Sequence, residues 1–176
     1  MDRKPPFFRE LILTSDMSPI RVRAVDETDT HWIGRLLADR WYSTKVVSRG
    51  KVHYADRLPG FIALAGEERV GLATYCVEGD ECEVVTLDSL TEGIGIGTAL
   101  IEAVRSRAAS NGCRRVWLIT TNDNIHALHF YQRRGFSLLT VHRNALEVSR
   151  KLKPEIPLTG SDGIPLRDEI ELEMLL

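Results

Sequence analysis

Three glycines at alternate positions, Gly93, Gly95 and Gly97, stand between a strand-like run and a helix-like run. Val84, Val85, Thr86 and Leu87 precede them, and a helix is predicted from Thr98. A glycine loop at that junction exposes backbone N–H groups at the positive end of a helix. Such an end binds phosphate without basic side chains. The triplet alone also describes a tight turn with no ligand. Two competing phosphate loops do not fit. Gly-x-x-x-x-Gly-Lys does not occur in the chain. The dinucleotide fingerprint wants its glycines after the first strand of a parallel βαβ unit, whereas several strands joined by short turns come before this loop.

A second segment carries the next chemical group. Thr120, Thr121, Asn122 and Asp123 end a strand, Asn124 opens a helix that contains Tyr131, and Gly135 and Phe136 close it. The two segments together resemble the GNAT superfamily of N-acetyltransferases. Its cofactor motif, Gln/Arg-x-x-Gly-x-Gly/Ala, is matched by Glu92, Gly93, Ile94, Gly95, Ile96 and Gly97. Its later motif, Asn-x-x-Ala-x-x-Phe-Tyr with a short spacer and Gly-Phe, is matched by Asn124, Ala127, Phe130, Tyr131, Gly135 and Phe136. The resemblance covers residues 20–141 in the right order and spacing. It implies a GNAT-like acyl-CoA N-acyltransferase fold, α/β with a mixed sheet, and acetyl-CoA as co-substrate. Its pantetheine arm would meet backbone groups of Leu87 and Ser89, and Asn124 and Ala127 beyond them. Its pyrophosphate would lie over the residues from Glu92 to Thr98. The family usually has Gln or Arg where this chain has Glu92. A carboxylate at roughly 5 Å from a phosphate, at an effective dielectric near 20, costs about 3 kcal/mol, so the Glu92 side chain is expected to turn outward.

The implied reaction is direct attack of a primary amine on the thioester. An alkyl ammonium with a pKa near 10.4 must first lose a proton, which costs about 4.6 kcal/mol at pH 7. A base must help, and the strand before the loop offers Glu81 and Glu83. Alternation places both on the face of Val85 and Leu87, with Glu83 nearer the thioester. Each would otherwise be an exposed edge-strand carboxylate. Tyr131 stands where the family carries its general acid. A phenol near pKa 10 cannot readily give its proton to a thiolate near 8.5, so the expected role is a hydrogen-bond donor to the developing charge. Without the motif Tyr131 reads as a core aromatic. His126 and His129 lie three apart on that helix. No further ligands accompany them, so no metal is expected. The alternative to an enzyme is an acyl-CoA-binding sensor or regulatory module without turnover.

The elements that must hold these groups can be read from the remaining pattern. Strands are predicted over residues 20–25, 61–65, 70–77, 82–87, 115–120 and 136–141. Helices are predicted after the caps at 26–29, over 98–111, 124–134 and 144–153. The first half is antiparallel and the second is β-α-β-α-β. Residues 42–60 have no clear period. Residues 154–165 are a loop, and 169–174 alternate as a strand with Glu169, Glu171 and Glu173 on a solvated outer face. That tail strand also offers an edge for a homodimer. Trp32, Trp41, Tyr42 and Tyr54 would line the acceptor site or pack the core, and Asp39, Asp56 and Glu155 have no evident place.

The chain has 176 residues, 43% hydrophobic and 27% charged, with a net charge of −2. That suits one domain over residues 19–176 after an extension over 1–18. It excludes a basic nucleic-acid footprint, and no apolar run approaches the roughly 20 residues of a membrane span. The N-terminus lacks a signal-peptide pattern, so a cytoplasmic location is expected. Cys76, Cys82 and Cys113 lack zinc-site spacing and read as buried reduced thiols.

Overall fold

The computed structural model describes residues 19–176, so the expected extension over 1–18 lies outside the described residues. The order is β1 (Ile20–Ala24), α1 (Thr30–Trp41), β2 (Lys45–Ser48), β3 (Lys51–Tyr54), β4 (Gly60–Ala65), β5 (Glu68–Glu78), β6 (Glu81–Ser89) and α2 (Ile96–Ser110). Then follow β7 (Arg115–Thr121), α3 (Ile125–Gln132), β8 (Ser137–His142), α4 (Ala145–Leu152) and β9 (Glu169–Leu175). Seven strands form one sheet in the order β1-β4-β5-β6-β7-β9-β8, and β2 and β3 form a separate hairpin. Among the described strands of this sheet only the β6–β7 pair is parallel.

Each face of the sheet has its own core. Leu100, Ile101, Val104 and Ala108 form the buried stripe of α2 at helical spacing, and they pack with Tyr75, Val84, Leu118, Tyr131 and Leu172. On the other face Ile33, Leu36 and Leu37 of α1 pack on Ile62, Leu72 and Val85. Helix α2 begins two residues earlier than the pattern predicts, at Ile96, because Ile96 is itself a core residue.

Residues 42–60, which showed no period, hold the β2–β3 hairpin. Its two-residue turn is Arg49-Gly50, both at positive φ. Asn-Gly or Asp-Gly is the usual sequence of such a turn, and arginine gives no such signal. The tail departs further. β9 does not lie at an edge: it pairs with β7 on one side and β8 on the other. It therefore separates β8 from β7 and offers no free edge for a homodimer. The acidic face of β9 is not solvated either, since Glu169 and Glu171 are buried. Glu169 accepts from Ser149 Oγ at 2.7 Å and from the Arg49 amide at 3.0 Å. Glu171 meets Arg115 at 3.2 Å and His142 at 2.8 Å. These partners come from α4, the hairpin turn, β7 and β8, none of which the local pattern of β9 reveals.

One ion cluster fixes α1 to the sheet. Asp29, fully buried, accepts from Arg23 at 2.6 and 2.8 Å, from Arg69 at 2.9 Å and from the Asp26 amide at 3.0 Å. The Arg23 hydrogen bonds hold its carboxyl far below the usual range. A lowered pKa adds stability above the unfolded value near 3.9 and loses it as pH falls below that value. Asp29→Ala should cost about 3 kcal/mol at pH 7, the low end for a broken buried pair, because both guanidinium groups stay a third exposed. Urea denaturation should show the deficit shrinking as the pH is lowered from about 4. A deficit independent of pH would show that the charge of Asp29 is not its source.

Candidate active site

The site opens where two strands part. β6 and β7 run parallel only from Glu81–Arg115 to Val84–Leu118. Beyond that, β6 continues with β5 and β7 with β9. A β-bulge accompanies the parting. Val84 stands opposite Tyr75 and Thr86 opposite Thr74, so Val85 is an extra residue. The alternation then shifts: Val85 packs on the α1 side and Leu87 on the α2 side. The expectation that Glu81, Glu83, Val85 and Leu87 share one face fails at Leu87 for this reason.

The glycine loop lines a cavity of about 480 Å³ with Ser89, Glu92 and the outer face of α3. Gly93 and Gly95 have φ of 79° and 86°, a region that side chains disfavour. Gly95 caps α2, and the first-turn amides of that helix have no intrahelical acceptor. Ile94 and Ile96 turn into the core, so the loop presents backbone to the cavity. Gly97 is required for space, since a Cβ there would stand 2.9 Å from the Phe130 ring. Arg134 donates to Thr98 Oγ1 at 2.9 and 2.7 Å and lies over the Phe130 ring. His126, His129 and Arg133 also line this cavity, together with Arg134. The two histidines belong to neither sequence motif. Their spacing with Arg133, at i, i+3 and i+7, was the available signal for one basic helix face. Glu92 is exposed at the wall of this cavity and makes no ion pair among the described residues.

A second cavity, about 220 Å³, is lined by Leu87, Asp88, Ser89, Asn124, Ala127 and Tyr131. Asn124 Oδ1 accepts from the Ala127 amide at 3.0 Å and so caps α3. Ser89 Oγ donates to the Thr91 carbonyl at 2.8 Å. Tyr131 is buried, edge-on to Phe130 and Phe136 at centroid distances of 5.1 and 5.3 Å. Burial pushes its phenol up, the charge of Asp88 adds to this, and Arg134 opposes it. Asp88 is a residue that the sequence reading missed. It is buried and accepts from Trp41 Nε1 at 3.2 and 3.0 Å. Burial raises its carboxyl pKa, against the Trp41 N–H and Arg40.

A third cavity, about 190 Å³, lies under the parting strands. Glu83 reaches it and Glu81 does not. Glu81 instead takes both its oxygens to Arg115, at 2.8 and 2.9 Å. Glu83 is buried, not exposed at an edge, and His53 Nε2 stands 3.3 Å from its Oε2 without hydrogen-bond alignment. Ser48 also lines the cavity, and its buried Oγ has no partner. An unsatisfied buried polar group costs about 1–3 kcal/mol. Both residues come from the hairpin that the sequence left unassigned. Lys153 and Glu169 complete the charged lining. Lys153 Nζ donates to the Trp41 and Lys45 carbonyls at 2.7 Å each, and burial lowers its pKa. Of the four aromatics considered for this region, only Trp41 lines the cavity. Tyr42 and Tyr54 are exposed, and Trp32 packs on the α1-side core. Asp39, Asp56 and Glu155 do not line it.

The cysteines take no part in these cavities. Cys82 is buried and its thiol is pushed up to about 12. Among the described residues no group of three His, Cys, Asp or Glu side chains is arranged to hold a metal, and no helix is long and apolar enough to cross a membrane.

The strand order, the parting of β6 and β7 and the glycine loop at the start of α2 together define an acyl-CoA N-acyltransferase architecture. The family model described as acetyltransferase (GNAT) family matches residues 21–136. The chain is 41% identical to the protein YdhI of Bacillus subtilis (strain 168) over 146 residues, 82% of this chain and 91% of that one. It is 46% identical to YxbD of the same organism over 133 residues, 75% of this chain and 84% of that one. The fold is similar to that of a Bacillus subtilis acetyltransferase crystallised in complex with CoA. The TM-score is 0.66 at 20% identity, covering 90% of this chain and 99% of the other. The chain belongs to the GNAT family of acetyltransferases.

Asp88 yields a test of this electrostatic description. A carboxyl whose pKa is raised by folding favours the native state below its unfolded pKa and loses that contribution as pH rises. Asp88→Asn keeps an acceptor for Trp41 and removes the buried charge. Its melting temperature should exceed that of the parent at pH 7, and the gain should fade as pH approaches 4. A lower melting temperature at pH 7 would show that the charged form of Asp88 is stabilising.

Proposed function

We propose that this protein transfers an acetyl group from acetyl-CoA to a primary amine by direct attack, with Glu83 as base and Tyr131 as donor to the departing thiolate. The observation that carries this reading is the linkage of the three cavities. The glycine-loop cavity and the Tyr131 cavity share Ser89, Glu92, Gly97, His126 and Phe130. The Tyr131 cavity and the Glu83 cavity share Asn124. A substrate with phosphates at one end and a thioester at the other fits that line. The first-turn amides of α2 meet the pyrophosphate. Arg133 and Arg134 supply positive charge that compensates for Glu92, and His126 and His129 add ring nitrogens for hydrogen bonding. Backbone groups of residues 87–89, freed on the β7 side by the parting, meet the pantetheine amides. The Bacillus subtilis acetyltransferase of similar fold was crystallised in complex with CoA, which supports CoA as the ligand.

The acceptor enters as an ammonium and gives one proton to Glu83. Its nitrogen then attacks the thioester carbonyl and the C–S bond breaks. The electron pair leaves on sulfur, beside the Tyr131 hydroxyl. The amide nitrogen releases its second proton, so the sum is an N-acetyl amine, free CoA and one proton. Because Tyr131 is pushed above its ordinary range, its phenol stays protonated at neutral pH. It therefore acts by donating a hydrogen bond, and the thiol takes its proton from water.

Two variants test this. Tyr131→Phe keeps the packing against Phe130 and Phe136. Single-turnover acetylation should fall by about 10- to 100-fold, with CoA affinity nearly unchanged. A folded Phe variant with full turnover would remove Tyr131 from the mechanism. A Cβ at position 95 meets no heavy atom within 4 Å, and Gly95→Val forces a β-branched residue to φ 86°. It should fold and lose CoA binding. Unchanged affinity would refute the placement of the pyrophosphate. CoA binding with no thiol release on any amine would leave a binding module.

A further inference from the structure

The transfer reading names the acceptor only as an amine, and the cavity beneath the parting strands narrows that class. We propose that the acceptor is a compact monoamine, one ammonium group on an apolar body. The inference rests on the transfer reading, since it takes the same cavity as the acceptor site.

Charge is the first argument. Three charged side chains line the cavity, the carboxylates Glu83 and Glu169 and the ammonium of Lys153. Nearby, Arg49 and Glu171 stand 3.7 Å apart and offset one another, and His53 faces Glu83. The lining therefore carries one excess negative charge. A single ammonium neutralises it. A polyamine brings further positive charge into a buried site, and the carboxylate of an amino acid restores the excess.

Hydrogen-bonding capacity is the second. The polar groups of the lining are mostly engaged with the protein. Glu169 holds Ser149 Oγ and the Arg49 amide, Lys153 Nζ holds two carbonyls, and Asn124 holds the Ala127 amide. The Glu83 carboxylate and the Ser48 hydroxyl are left, with Thr120 beside them. Two acceptors suit the N–H groups of one ammonium.

Size and surface are the third. The cavity measures about 190 Å³, the liquid share of about six water molecules. Its remaining walls are apolar, with Trp41, Val85, Ile119, Leu146 and Ile156 among them. That space takes one ring or a short alkyl chain. Acetylation removes the charge that the lining complements, so the neutral amide product should bind more weakly than the amine.

The test is thiol release from acetyl-CoA with a defined panel: butylamine, 2-phenylethylamine, spermidine, β-alanine and a tripeptide with a free N-terminus. The expected result is a kcat/KM at least tenfold higher for the best monoamine than for any of the other three. A higher value for spermidine or the tripeptide would overturn the inference and leave the transfer reading standing. So would a higher value for β-alanine, which would assign the third Nζ–H of Lys153 to a substrate carboxylate. Thiol release with none of them, in a protein that binds CoA, would remove the transfer reading and the inference with it. Ser48→Ala provides a second measurement. The KM for the monoamine should rise about fivefold, with the KM for acetyl-CoA unchanged and the melting temperature not lowered. An unchanged amine KM would overturn the part assigned to Ser48.

Discussion

Everything chemical in this fold depends on one failure of strand pairing. β6 and β7 hold together for four residue pairs and then separate, each kept in place by the strand on its other side. A sheet that stayed closed here would fill its own backbone hydrogen bonds and leave no room between the strands. The bulge at Val85 makes the separation productive. It sends Glu83 toward the α1 side and Leu87 toward the α2 side within a few residues. In the proposed mechanism a base and a cofactor-facing edge thus come from one short strand.

The charged groups around this opening are handled in two ways. On the phosphate side, backbone amides and a basic helix face stand near solvent, where opposing charges are cheaply screened. On the acceptor side, carboxylates are buried and depend on a few fixed donors. Glu169 depends on one hydroxyl and one amide, and Glu83 on a poorly aligned histidine. A carboxylate held by so few donors keeps much of its attraction for a cation. Under the proposed function this asymmetry puts phosphate recognition at the surface and amine recognition in the interior.

How much could be read beforehand follows the range of the interactions. The glycine loop, the stripe of α2 and the cap at Asn124 are local, and their residues signal them within one or two turns of chain. The basic face of α3 is equally local, but its histidines look ordinary until the loop is seen opposite them. The bulge at Val85 leaves no mark in composition. Glu169 and Glu171 alternate with apolar residues as a solvated face would, and only Ser149, Arg115 and His142 from distant segments make their burial tolerable. Ser48 and His53 went unrecognised because an Arg-Gly turn hid the hairpin that carries them.

The position of β9 also bears on how the chain is made. β8 emerges before β9 in N-to-C synthesis, yet β9 is the strand it pairs with, and nothing joins β8 to β7 directly. β8 therefore waits for its one strand partner some 27 residues downstream, counted from His142 to Glu169, and Leu138, Leu139 and Val141 stay exposed even in the finished sheet. The wall of the Glu83 cavity that bears Glu169 is absent until then. A nascent chain that has exposed β8 but not β9 presents a sticky, half-finished sheet.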